Sequence, residues 1–184
     1  MVKDSELKAS AQQVNVLVVI DTDYVKAHYP PNTNQSSPQG IDHNSQFMIC
    51  TGSRTPPVGQ GTADLQFSAN VGDFVSFTGT SIYANSDDAV IIYGINYWQG
   101  DKVFNGFESD LTTRAGAVMP NPASQPTGLP ANQETITFAS YDSRIAKGGL
   151  EYFYVYFALY SLDSSGEKQN LYGYFYWDPS VKVA

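Results

Sequence analysis

The stretch EYFYVYFALYSLDSSGEKQNLYGYFYWDP, residues Glu151–Pro179, decides the fold. Glu151 to Leu162 and Gln169 to Trp177 flank Asp163-Ser164-Ser165-Gly166, a run of turn formers, so the two arms read as a long antiparallel hairpin. Side chains alternate along a strand. Phe153, Val155, Phe157 and Leu159 therefore share one face, and Tyr152, Tyr154, Tyr156 and Tyr160 the other. In the second arm Leu171, Phe175 and Trp177 alternate against Tyr172, Tyr174 and Tyr176. The Phe side is the core side. Seven of the chain's 13 tyrosines fall in this hairpin, all at even positions. A half-buried sheet surface accounts for such a face, with rings on neighbours and hydroxyls in water. So does a subunit interface formed by Tyr152, Tyr154, Tyr156, Tyr172, Tyr174 and Tyr176, since tyrosine is enriched there and a flat aromatic face would otherwise be an exposed patch.

Working outward, short β-branched and aromatic runs bounded by Gly, Pro, Asn, Asp and Ser recur, and helical periodicity is nearly absent. Strands are predicted at 14–20, 46–51, 64–69, 74–79, 89–96 and 135–140, besides the two hairpin arms. Pro179 ends the last strand because it cannot donate to a ladder. Two stretches resist strand assignment, YPPNTNQSSPQGIDHN at Tyr29–Asn44 and MPNPASQPTGLPAN at Met119–Asn132. They read as long ordered surface loops. The expected fold is an all-β, single-domain antiparallel β-sandwich over residues 14–184 with two Pro-rich loops, preceded by a flexible segment, 1–13. A chain of 184 residues fits one domain.

The formal charge of −8, with no basic cluster, excludes nucleic acid and anionic membrane as partners. The longest apolar run near the start, Val16–Ile20, is far short of the ~20 residues that span a bilayer, so no membrane insertion is expected. MVKDSELKASAQQ reads as neither a secretory signal nor a transit peptide, which predicts a cytoplasmic protein. The single cysteine, Cys50, lies in an apolar run and reads as a buried thiol.

Catalytic options thin out quickly. His28 and His43 are the only histidines, and neither sits near a nucleophile elbow or zinc-spaced cysteines. No carboxylate pair stands out among the 18 acids as a glycosidase acid and base. Oxygen ligands are more informative. The strand at Val14–Ile20 runs into Asp21-Thr22-Asp23-Tyr24, which in an extended chain puts Asp21 and Asp23 on one side. Asn85-Ser86-Asp87-Asp88 forms a second acidic loop. If the two loops meet, Asp21, Asp23, Asn85, Asp87 and Asp88 offer the hard oxygen set that calcium takes. Ser86 and a ring from Tyr24, Tyr83 or Trp98 would then receive a sugar. The same residues also serve as ordinary turn formers and backbone caps.

VNVLVVIDTDYV at Val14–Val25, GDFVSFTGTSIYANSDDAVIIYGI at Gly72–Ile95 and the hairpin's EYFYVYFALY and LYGYFYWDP resemble the bacterial AidA/PixA family of inclusion-body proteins. The resemblance covers nearly the whole chain after the first dozen residues. It implies an abundant cytoplasmic protein, deposited in inclusion bodies of host-associated bacteria, with calcium-dependent sugar binding reported among members. The combined expectation is a non-enzymatic lectin, with calcium as cofactor and a mannose- or fucose-like sugar as partner. It would be stored as a homo-oligomer and act after non-classical release. The rival expectation is a structural or storage protein that self-associates through the tyrosine face.

Overall fold

The computed structural model describes residues 11–184, so most of the segment expected to be flexible lies outside the described residues. The chain forms β1 (Gln13–Ile20), α1 (Thr22–His28), β2 (Gln39–Gly40), β3 (Gln46–Thr51), β4 (Leu65–Phe67) and β5 (Phe74–Ser81). There follow β6 (Ala89–Gly100), β7 (Glu108–Met119), β8 (Asn132–Arg144), β9 (Gly149–Leu162), β10 (Gln169–Trp177) and β11 (Ser180–Val183). Two sheets result, one in the order β3-β1-β5-β8-β7 and one in the order β2-β10-β9-β11-β4, with β6 on β9.

The hairpin arms are as the alternation requires. Phe153, Val155, Phe157, Leu159, Phe175 and Trp177 are all fully buried. They meet the inner face of the other sheet, where Phe77 packs edge-on to Phe153 with ring centroids 5.8 Å apart. Each such side chain contributes roughly 1.5–3 kcal/mol by leaving water. Strand β9 is paired along both edges, to β6 on one side and to β10 and β11 on the other. Its neighbours β10 and β11 form one line interrupted at Asp178-Pro179, where proline cannot continue the ladder.

The sandwich is not wholly antiparallel. β1 pairs β5 in parallel, as β2 does β10 and β4 does β11. Between β1 and β5 the chain makes α1, returns as β3 on the far edge of β1, and visits the second sheet as β4; a crossover of that kind lets β5 run in the same direction as β1. The first Pro-rich loop is anchored, with β2 on β10 and Ile41 buried. The second is the tip of a β7–β8 ribbon. Strand β7 escapes sequence reading because both its faces meet solvent, so ESDLTTRAGAVM carries no apolar alternation. Cys50 is buried, which pushes its thiol up.

Asp73, just ahead of β5, ties three segments together. Its carboxylate accepts from Arg54 Nε and a second guanidinium nitrogen, each at 2.8 Å, and from the amides of Gln12 and Asn70 at 2.9 and 2.7 Å. The Arg54 guanidinium and these amides outweigh burial and hold the carboxyl at about 2, against 3.8 ordinarily. A lowered folded-state value means that the stabilisation is complete above the unfolded value and is lost as pH falls toward 2. Urea titrations are expected to show the parent losing about 2 kcal/mol more than Asp73→Asn between pH 5 and pH 2.

Candidate functional site

The two acidic segments do meet, at the end of the sandwich where β1 and β9 terminate, but not through an extended chain. Asp21 leaves the strand and caps a helix: its side chain accepts the Tyr24 amide at 3.0 Å, satisfying one of the free N–H groups of the first turn. Asp23 then lies in that first turn and Lys26 in the last, charges placed as the helix dipole favours. The helix has seven residues and buries only Thr22 and Val25, too short a stripe to register as periodicity. Asp21 and Asp23 therefore do not share one side of a strand.

From α1, Lys26 reaches across to the second segment. Its ammonium stands 2.5 Å from Asp88 Oδ2 and 3.4 Å from Asp23 Oδ1. The other Asp88 oxygen accepts from the Leu162 amide at 3.1 Å and the Ser161 hydroxyl at 3.2 Å. Burial pushes the Asp88 carboxyl up, but the ammonium and the Leu162 amide outweigh it and hold the group below the usual carboxylate range. Burial likewise pulls Lys26 down, and the two carboxylates more than reverse it. Lys26 thus supplies positive charge where the acids converge. The Tyr83 hydroxyl closes the ring by donating to Asp23.

Asn85 acts within its own loop. With φ at 63°, its side-chain oxygen accepts from the amides of Ser81 and Val90 at 2.8 and 3.0 Å. Gln169 Nε2 donates to the carbonyls of Asn85, Ser86 and Asp87 at 2.8, 3.2 and 2.9 Å, so one amide gathers three loop carbonyls. Asp87 is exposed, with the Ser86 hydroxyl 3.2 Å from its Oδ1. Tyr24 turns toward Asp42, donating at 2.8 Å, and stacks on His28. Among the described residues no group of three or more His, Cys, Asp or Glu side chains is placed to hold a metal ion. Lys26 and Gln169 are the residues sequence reading missed. Lys26 had a local signal, its i, i+3 spacing from Asp23; Gln169 had none, since its partners lie more than 80 residues away.

Trp98 lies elsewhere. It stacks on Tyr154 at 5.5 Å, eight residues along β9 from Leu162 and so roughly 26 Å from the acidic cluster. There it belongs to an aromatic face. Tyr154 contacts Tyr176 at 5.1 Å, Tyr156 contacts Tyr176 at 5.6 Å and Tyr93 contacts Tyr174 at 5.6 Å, while Tyr152 stands edge-on to Trp98. The rings of β9 and β10 are half-buried and Trp98 is exposed. Tyr93, which sits where β6 bulges between Ile92 and Gly94, is an addition to the face. Burial among its neighbours pushes its phenol up to about 12. Tyr172 is a subtraction. A bulge between Leu171 and Gly173 turns it toward the core side, where it stacks on Phe175 and donates to the Tyr29 carbonyl at 2.7 Å.

Removing Lys26 leaves a buried carboxylate without its counter-charge. Lys26→Met is expected to cost about 3 kcal/mol in denaturant unfolding, and adding Asp88→Asn should recover at least about 1 kcal/mol of that loss, a coupling read from the double-mutant cycle.

The comparisons with known proteins agree with this architecture. The family model described as PixA, inclusion body protein, matches residues 12–183. A crystal structure of an inclusion body protein of this family from Burkholderia cenocepacia superposes with a TM-score of 0.80 at 31% identity, covering 95% of this chain and 97% of that one. A search among curated proteins returns no match. With the model spanning nearly the whole chain and the solved relative sharing both fold and length, this chain belongs to the PixA family of inclusion body proteins.

Proposed function

We propose that the chain is a structural inclusion-body protein, assembling with copies of itself through the aromatic face of β6, β9 and β10. The observation that carries this is the continuity of that face: Tyr93, Trp98, Tyr152, Tyr154, Tyr156, Tyr174 and Tyr176 form an unbroken chain of ring contacts on one sheet surface. Rings of this kind are large, rigid and cheap in conformational entropy, which suits them to contacts between subunits. The family's inclusion bodies accord with deposition inside the cell, and no helix among the described residues is long and apolar enough to cross a membrane. The reading needs no catalytic step.

A second reading, calcium-dependent binding of a mannose- or fucose-like sugar, is favoured by one observation, the convergence of Asp23 and Asp88 with exposed Asp87 at the rim. A cation there would compete with Lys26 for the same oxygens. Tyr83 and Ser86 lie beside that cluster, whereas Trp98 does not.

In sedimentation velocity, a Tyr154→Lys, Tyr174→Lys variant is expected to run as a smaller species than the parent with an unchanged circular dichroism spectrum; an unchanged assembly would remove the aromatic face as its cause. For the second reading, calorimetric titration with calcium should give heat that Asp87→Asn weakens and that a following mannose or fucose titration requires. Absence of heat from calcium would end it.

A further inference from the structure

The β7–β8 ribbon extends past the part of its sheet that β5 holds. Strand β5 pairs β8 only through Tyr141–Arg144, so from Ser140 back to Asn132 the one strand hydrogen-bonded to β8 is β7, itself an edge strand. A two-stranded ribbon is marginal alone in water. Its sides are not alike. Tyr141 packs against the core, and the residues sharing its parity, with their register partners, continue that core-side face outward: Leu111 opposite Ala139, Thr113 opposite Thr137, and Val118 beyond. The Thr113 and Thr137 hydroxyls, 2.9 Å apart, lie together on that side. This face carries no charged residue. Asp110, Arg114 and Glu134, with Glu108 and Asp142 at its base, fall on the opposite parity. Leu111 and Val118 are 69% and 70% exposed.

One other surface of the same sheet has the same character. On the outer side of β1 and β3, Leu17 stands directly opposite Ile49, and Val19 opposite Phe47. Leu17 and Ile49 are exposed, and every outward residue of the two strands, from Gln13 and Asn15 to Thr51, is uncharged. In a chain of net charge −8, two surfaces free of charged side chains are where a second copy can approach without like-charge repulsion.

We propose that the core-side face of the β7–β8 ribbon clasps a second copy of this chain, lying over the Leu17–Ile49 patch of that copy, with the exchange reciprocal. Nine residues of β8 span roughly 30 Å, about twice the radius of gyration of roughly 16 Å expected for the whole chain, so the ribbon reaches across a neighbour. At two strands' width, roughly 10 Å, one clasp covers roughly 300 Å². Two reciprocal clasps give roughly 600 Å² per partner before side-chain relief, near the ~800 Å² of a stable interface. One ribbon stacked only on another would give half of that. The proposal rests on the self-association reading above and adds a second contact surface to it.

The test is sedimentation velocity of the full chain. With Tyr154→Lys and Tyr174→Lys removing the aromatic contact, a clasped dimer is expected. Adding Leu111→Asp and Val118→Asp on the ribbon, or Leu17→Asp and Ile49→Asp on the patch, should lower its mass about twofold, to monomer. All four positions are solvent-exposed, and circular dichroism checks that each variant is folded. An equimolar mixture of the ribbon and patch variants retains one intact clasp and should regain a dimer. Ribbon variants that keep the mass they had before, or a mixture that stays monomeric, would overturn the clasp. Should the tyrosine variant sediment like the parent, the aromatic reading fails alone, and ribbon substitutions in the parent background are still expected to shrink the assembly.

Discussion

Strict alternation along β9 is the constraint on which the molecule depends. One parity sends Phe153, Val155, Phe157 and Leu159 into a fully buried interior, and the other sends Tyr152, Tyr154 and Tyr156 outward. Because β9 is hydrogen-bonded on both edges, its register also sets those of β6, β10 and β11, and a one-residue slip would exchange the two faces wholesale. The same alternation that builds the core therefore lays out the aromatic surface.

At the end of the sandwich a different balance holds. Asp23 and Asp88 are brought together by elements far apart in the chain, and Asp88 is almost wholly buried. Such a charge persists only with a partner, and the chain provides one in Lys26. Gln169 does the equivalent for the loop carbonyls. A site drawn from oxygen ligands alone leaves out these nitrogen donors, which bind the same Asp23 and Asp88 carboxylates and loop carbonyls.

Assembly into an extended body requires more than one kind of contact, since a single self-complementary surface closes into a dimer and stops. The aromatic face lies on one sheet, and the ribbon and the Leu17–Ile49 patch belong to the other. In the proposed assembly, contacts on both sides of the sandwich would allow growth past the dimer, and surfaces free of carboxylate would let a chain of charge −8 condense.

Local pattern was enough for the all-β class, for β3 and β10 to the residue, for the buried Phe side of the hairpin and for the stop at Pro179, because each rests on neighbours within a few residues. The tyrosines of the aromatic face were equally legible, save at two bulges, where one admits Tyr93 and the other removes Tyr172, since a bulge is settled by the partner strand; Trp98, read as a ring of the sugar site, belongs to this face instead. Family membership was readable too, since long matched blocks carry it. Three features were not. The seven-residue α1 buries too little to show a period; the exposed β7 has no side to bury and so no alternation; and the pairing of Lys26 with Asp88 spans 62 positions. In each of these, side chains find partners or solvent only once the sheets are assembled, and no window of sequence contains that information.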